Sequence, residues 1–184
     1  MLITLIGYRG TGKSTLAPRL ASRLNFTWVD ADVELENVTG RSIREIFATD
    51  GEAEFRRLER EVLLQLLGRD RLVIAAGGGA ILNEATRHDF RQAGPVIWLQ
   101  ASVETIGRRI LRDGTTASHR PNLTNTGGID EIRTLVTQRE PLYRECATIT
   151  VQSEGASIEG LVQRILPQLP PEYRPPEYRQ EHRT

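Results

Sequence analysis

Gly7-Tyr-Arg-Gly-Thr-Gly-Lys-Ser14, directly behind the apolar run Leu2-Ile-Thr-Leu-Ile6, is the stretch on which the fold turns. A glycine, four residues and then Gly-Lys-Ser is the pattern of a phosphate-binding loop, which belongs between a strand and a helix. The glycines let backbone N–H groups converge on phosphate oxygens without a Cβ in the way. The first helical turn adds unpaired donors and the positive end of its dipole. Gly10, Thr11, Gly12 and Thr15 are therefore expected to line the phosphates, Lys13 to reach the β- and γ-phosphates, and the Ser14 hydroxyl to ligate Mg²⁺. Arg9, inside the loop, reads either as a further cation for a phosphate or an acceptor, or as a solvated side chain. Lys13 is the only lysine among 24 basic residues. An arginine bias explains the rest, and the loop's need for a slim ammonium explains the exception.

Outward from the loop, short apolar runs alternate with longer helical patterns, which is the signature of a parallel sheet covered by helices. Strands are predicted at Leu2–Ile6, Thr27–Val29, Leu72–Ala76, Pro95–Leu99 and Ala147–Val151. Helices are predicted from about Gly12 to Leu24, over Ser42–Leu67 with a break at Asp50-Gly51, and over Asn83–Ala93, Val103–Leu111, Ile129–Tyr143 and Ile158–Leu169. Pro18 predicts a local kink in the first of these. Residues 113–128 form a polar stretch without periodicity, long enough inside a compact domain to imply a function. The chain has 184 residues, which suits one domain, here 1–169. After it, Pro170-Pro-Glu-Tyr-Arg174 is repeated at once as Pro175-Pro-Glu-Tyr-Arg179. Proline at that density predicts a solvated, disordered tail over 170–184, with a partner-binding peptide as the minority reading.

Composition narrows the function classes. Net charge is zero with 26% charged residues, so nothing global points to nucleic acid or a membrane surface as partner. No apolar run approaches the roughly 20 residues of a membrane span, and the N-terminus lacks the features of a signal peptide. One cysteine, Cys146, permits no internal disulfide and fits a reducing cytoplasm.

Three further groups of residues carry chemistry. Asp30-Ala-Asp32 ends the second predicted strand, where an open α/β sheet presents its ligand crevice. Two carboxylates there can hold a hydrated Mg²⁺ and accept from an acceptor hydroxyl, or they can cap and start a following helix. Gly77-Gly-Gly79 ends the third strand, and side-chain-free backbone there suits a flat or ring-shaped ligand lying close. Arg56, Arg57, Arg120 and Arg139 are each ordinary surface charges in isolation. A kinase acting on a small anion, however, needs a fork for the acceptor's carboxylate and a cation over the transferring phosphoryl group.

Assembled, these residues resemble the shikimate kinase family over about residues 1–168. The likeness rests on Asp30-Ala-Asp32, Thr39-Gly-Arg-Ser-Ile43, Ile46-Phe47, Gly51-Glu-x-x-Phe55-Arg56, Gly77-Gly-Gly79, Arg120-Pro121 and Arg139-x-Pro141-Leu-Tyr-Arg144. The resemblance implies an ATP- and Mg²⁺-dependent phosphotransferase acting on the 3-hydroxyl of shikimate, usually monomeric. It implies a five-stranded parallel sheet of order 2-3-1-4-5, helices on both faces and a mobile lid at about 113–128. It gives Asp32 the acceptor hydroxyl and its proton, and puts Asp30 near the metal through water. Arg56 and Arg139 become the carboxylate fork, Gly77, Gly78 and Gly79 the wall of the ring, Arg120 the lid cation, and Arg109 the guanidinium over adenine. It names no residue for the other adenine face, where this chain reads Gln152-Ser-Glu-Gly-Ala-Ser157. The rivals are another small-molecule kinase, such as a gluconokinase or a nucleoside monophosphate kinase, and a nucleotide-dependent switch protein. A monophosphate kinase needs a cationic pocket for a phosphate acceptor, and a switch needs no acceptor site.

Overall fold

The structure is a computed structural model that describes residues 1–112 and 128–178. Strands β1 (Leu2–Ile6), β2 (Thr27–Asp30), β3 (Leu72–Ala75), β4 (Val96–Gln100) and β5 (Ile149–Gln152) form one sheet in the order β2-β3-β1-β4-β5, and every pairing is parallel. β1 is therefore central, flanked by β3 through pairs such as Leu5 with Ala75 and by β4 through Leu5 with Ile97. Its five residues are all buried, which is why the run is apolar on both faces apart from Thr4 instead of alternating.

Alternation still decides which layer each side chain joins. Leu2, Ile6, Leu72, Ile74, Val96 and Trp98 enter one core, and Ile3, Leu5, Val73, Ala75, Ile97 and Leu99 enter the other. Helix α1 (Lys13–Leu24) covers the second face through Leu16, Leu20 and Leu24, together with α8 (Ile158–Ile165). The first face is covered by α2 (Ala31–Thr39), α3 (Ile43–Thr49), α4 (Gly51–Leu67), α5 (Glu84–Ala93) and the end of α7 (Gly128–Cys146). Helix α6 (Val103–Arg112) packs with α7 around Tyr8, Ile106 and Ile132.

Local chemistry sets several element ends. Ser42 and Glu45 form a reciprocal capping box at the start of α3. Gly51, at φ 81°, makes the corner between α3 and α4 where a side chain would be strained. Pro18 lies inside α1, which continues through it to Leu24. Helix α2 has almost no periodic signal because it buries only Ala31 and Leu35.

The Pro-Glu-Tyr-Arg repeat differs from the solvated tail expected. Pro171–Tyr173 and Pro176–Tyr178 each form one 3-10 turn, with the tyrosine N–H donating to the carbonyl of the proline three residues back at 2.9 Å in both copies. Both tyrosines pack against the α1–α8 core, and the Tyr173 hydroxyl lies against the backbone of Leu2 and Gly94. Proline stiffness thus shapes two turns whose tyrosines find apolar surface. Residues 113–127, with most of the predicted lid and Arg120, and residues 179–184 lie outside those described.

Candidate active site

The carboxyl ends of β1, β2 and β3 open into one crevice, as an open parallel sheet requires. The chain leaves β1 through Gly7, whose φ is 139° and where an added Cβ would stand 2.6 Å from the Leu99 carbonyl oxygen, so only glycine fits. Thr11 closes the loop by donating its hydroxyl to Tyr8 O at 2.8 Å. Lys13 is almost fully buried and arcs back over the loop, donating to Gly7 O at 2.7 Å and Tyr8 O at 3.0 Å. Its ammonium is thereby held on the concave side of the loop. Gly10, Gly12, Ser14 and Thr15 line the same cleft, which has a volume of about 900 Å³ and extends to Asp30, Asp32 and Gly78.

Asp30 joins the two halves of this cleft. Its Oδ2 accepts from the Ser14 hydroxyl at 2.5 Å, and its Oδ1 accepts from the Asp32 backbone N–H at 3.0 Å as the N-cap of α2. The capping role and the site-facing role therefore coexist in one carboxylate. Asp32 follows in the first turn of α2 and also lines the cleft.

The glycine run reaches the cleft through Gly78. Gly77, Gly78 and Gly79 are all buried. A Cβ on Gly79 would lie 2.5 Å from both terminal nitrogens of Arg56, so the guanidinium rests directly on this backbone. Arg56 is oriented by Glu59 Oε2 at 2.7 Å and Glu52 Oε1 at 3.1 Å, and it stands 5.1 Å from the Phe55 ring centroid. Gly78 O accepts from the Tyr143 hydroxyl at 2.6 Å and from Arg139 at 3.3 Å. Arg139, although charged, is buried, and its guanidinium is 5.7 Å from the Tyr8 ring centroid. Burial raises the Tyr8 pKa above the ordinary tyrosine value, against the opposing pull of Arg9 and Arg139, so its hydroxyl stays neutral near two cations.

At the other end of the cleft, Arg109 donates to Gly10 O, Thr11 O and Ser153 Oγ, each at 3.2 Å, and to Ser153 O at 3.0 Å. It ties the phosphate-binding loop to the end of β5. Ile110, Arg112, Ala156, Ile158 and Leu161 complete this end, a largely apolar slot with two guanidinium groups.

Of the described site residues predicted from sequence, Gly10, Thr11, Gly12, Lys13, Ser14, Thr15, Asp30, Asp32, Gly78 and Arg109 line this crevice, while Arg56 and Arg139 reach the glycine run at Gly79 and Gly78. Arg120 lies outside the described residues. Sequence reasoning missed Glu59, Tyr143, Ser153 and Glu131. Glu59 had a signal, since it sits three residues after Arg56 on a helix. The other three touch the site only through tertiary contact.

A metal would meet oxygen ligands here. Among the described residues no cluster of three or more His, Cys, Asp or Glu forms a protein cage. Mg²⁺ needs none, because it takes one or two protein oxygens and completes its shell with phosphates and water. Ser14 Oγ and Asp30 Oδ2, 2.5 Å apart beside the phosphate loop, fit that requirement.

Comparison with known proteins follows this geometry. A family model described as shikimate kinase matches residues 9–170. The shikimate kinase of Rhodopirellula baltica is 40% identical over 166 residues, which is 90% of this chain and 89% of that protein. The structure of the Acinetobacter baumannii shikimate kinase in complex with shikimate superposes with a TM-score of 0.84 at 38% identity, covering 90% of each chain. A gluconokinase from Sinorhizobium meliloti has a TM-score of 0.54 at 14% identity, over 90% of this chain and 89% of that one, and shares the fold alone.

Proposed function

The chain belongs to the shikimate kinase family, and from that membership we propose how its residues divide the transfer of the ATP γ-phosphoryl group to the 3-hydroxyl of shikimate. The bond between the acceptor oxygen and phosphorus forms as the bond from phosphorus to the bridging oxygen of ATP breaks, giving shikimate 3-phosphate and ADP. Asp32 holds the reacting hydroxyl and receives its proton. Lys13 and the loop N–H groups of Gly10, Thr11, Gly12, Ser14 and Thr15 neutralise the phosphates of donor and leaving group. Ser14, and Asp30 through water, would hold Mg²⁺, which would supply charge neutralisation at the phosphate oxygens.

Arg56 and Arg139 bind the acceptor's carboxylate, and Gly77, Gly78 and Gly79 let the ring lie against the backbone. Arg109 faces adenine from one side, with Ala156 and Ile158 lining the slot that sequence reasoning could not assign. Arg120 closes over the phosphates, and the lid excludes water that would otherwise hydrolyse ATP. The protein acts as a cytoplasmic monomer with no nucleic-acid or membrane partner. Electroneutrality and a lone buried thiol support that setting, and no described helix is long and apolar enough to cross a membrane.

The observation that carries this reading is the Asp30 carboxylate, which links Ser14 on the phosphate side to the Asp32 backbone on the acceptor side. The test is ADP release with Mg-ATP and shikimate, gluconate or a nucleoside monophosphate as acceptor, with Asp32→Asn as control. Release is expected with shikimate alone, and kcat in the variant should fall about 10²-fold or more. Turnover of gluconate but not shikimate overturns the substrate, and near wild-type turnover by Asp32→Asn removes it as base.

A further inference from the structure

Arg9 occupies the third position of the phosphate-binding loop, and its side chain reaches Tyr8 and Glu131. Its guanidinium lies 5.9 Å from the Tyr8 ring centroid and its Nη2 lies 3.9 Å from Glu131 Oε1. Glu131 is buried in the first turn of α7. Arg139 lies eight residues further along that helix and therefore on the same face. Tyr8 is thus shared by two guanidinium groups, from Arg9 on the loop side and Arg139 on the helix side. The Arg9 backbone also lies against Gly78, where an added Cβ would come within 3.3 Å of its N, and Gly78 O is the acceptor for Arg139. Arg9 nevertheless lines the cleft. Its Nε makes no hydrogen bond among the described residues although it is buried.

A loose ion pair at 3.9 Å orients a guanidinium without using up its fork. A carboxylate ligand has about four lone-pair sites, more than one bidentate arginine can satisfy. We propose that Arg9 is a further acceptor-binding residue, recognising the carboxylate of the acceptor beside Arg139, and that Glu131 positions it. This rests on the reading that shikimate is the acceptor and that Arg139 meets its carboxylate. Arg9 joins the acceptor half, because its contacts are with Tyr8, Gly78 and α7, while Lys13 serves the phosphates.

The experiment compares wild type with Arg9→Met and Arg9→Lys, measuring KM for shikimate, for its neutral carboxamide and for ATP. Arg9→Met should raise the shikimate KM about tenfold or more, the scale of one lost charge-assisted hydrogen bond. The ATP KM should stay within about twofold, and Arg9→Lys should recover part of the loss. With the carboxamide, wild type and Arg9→Met should be alike, which a merely structural defect would not produce. Glu131→Gln should weaken shikimate binding less, and should add nothing in the Arg9→Met background. An unchanged shikimate KM, a loss confined to ATP, an equal loss with the carboxamide, or additive effects of the two substitutions each overturn the assignment. Failure of the wild type to use shikimate at all overturns the underlying reading, and is distinguished because it needs no variant.

Discussion

Gly79→Ala isolates the acceptor half of the site from the fold. The backbone at Gly79 has φ −105° and ψ −1°, which alanine adopts without strain, so any effect must come from the added methyl. That methyl would lie 2.5 Å from Arg56 Nη1 and Nη2 and 2.8 Å from Cζ. This is roughly 1 Å short of the separation of about 3.5 Å at which non-bonded atoms rest. The guanidinium must therefore shift by about that much, and it is the end of a long side chain, so unfolding stability should change by less than about 1 kcal/mol. The shift pulls Arg56 off the 2.7 Å bond to Glu59 and out of register with a carboxylate held in the crevice. Losing one charge-assisted bond to a ligand costs about 1.5–3 kcal/mol, or about 10- to 100-fold in affinity. The assay is steady-state KM for shikimate and for ATP, with a thermal melt to check the fold. Shikimate KM should rise in that range at constant ATP KM and nearly constant Tm. The double variant with Arg56→Ala decides the route, because removing the guanidinium removes the three atoms nearest the methyl, which should then add little to the loss caused by Arg56→Ala. Full additivity, or an unchanged shikimate KM in the single variant, refutes the placement of Arg56 as the carboxylate fork resting on Gly79.

Two other outcomes follow from features outside the site. Truncation after Leu169 removes Tyr173 and Tyr178 from the α1–α8 core and the Arg174 Nε bond to Leu169 O at 2.7 Å. It should lower Tm by about 4–8 °C, for a loss on the order of 2 kcal/mol, and leave both KM values unchanged; an unaltered Tm would show that the repeat is a solvated tail after all. Burial pushes the Cys146 thiol from 9.0 up to about 11. The folded state holds the neutral form, so stability is undiminished below about pH 9 and falls as pH rises toward 11, where the unfolded chain ionises first. Native protein should resist iodoacetamide at pH 8, and the alkaline loss should shrink in Cys146→Ala; rapid alkylation of folded protein would contradict the burial.

The central strand and the loop that follows it were legible because both are local. Four apolar residues around Thr4, a glycine pattern and a helix start lie within one short segment, so sequence order alone brings Lys13 and Ser14 to the loop. The five-strand parallel order came from resemblance, and the structure has that order. Asp30 was ambiguous between cap and site because those readings demand the same residue at the same place, and the structure has it doing both.

Residues whose meaning depends on a distant partner stayed silent. Tyr143 matters because α7 brings its hydroxyl to the Gly78 carbonyl, more than 60 positions earlier in the chain, beside Arg139, which the sequence did offer as a candidate. The sequence offered Arg109 only as a stacking guanidinium and did not show that two loop carbonyls and Ser153 would hold its edge. The proline repeat looked like solvated chain because its composition predicts stiffness, while the apolar surface its tyrosines meet belongs to α1 and α8. The sequence by itself therefore determined the phosphate-binding half, whose groups are neighbours in the chain and whose geometry follows from backbone chemistry. Only the tertiary structure decided how the residues read as an acceptor half are held, because Arg56, Arg139 and the glycine run meet across layers of the fold, by packing that no short window of residues encodes.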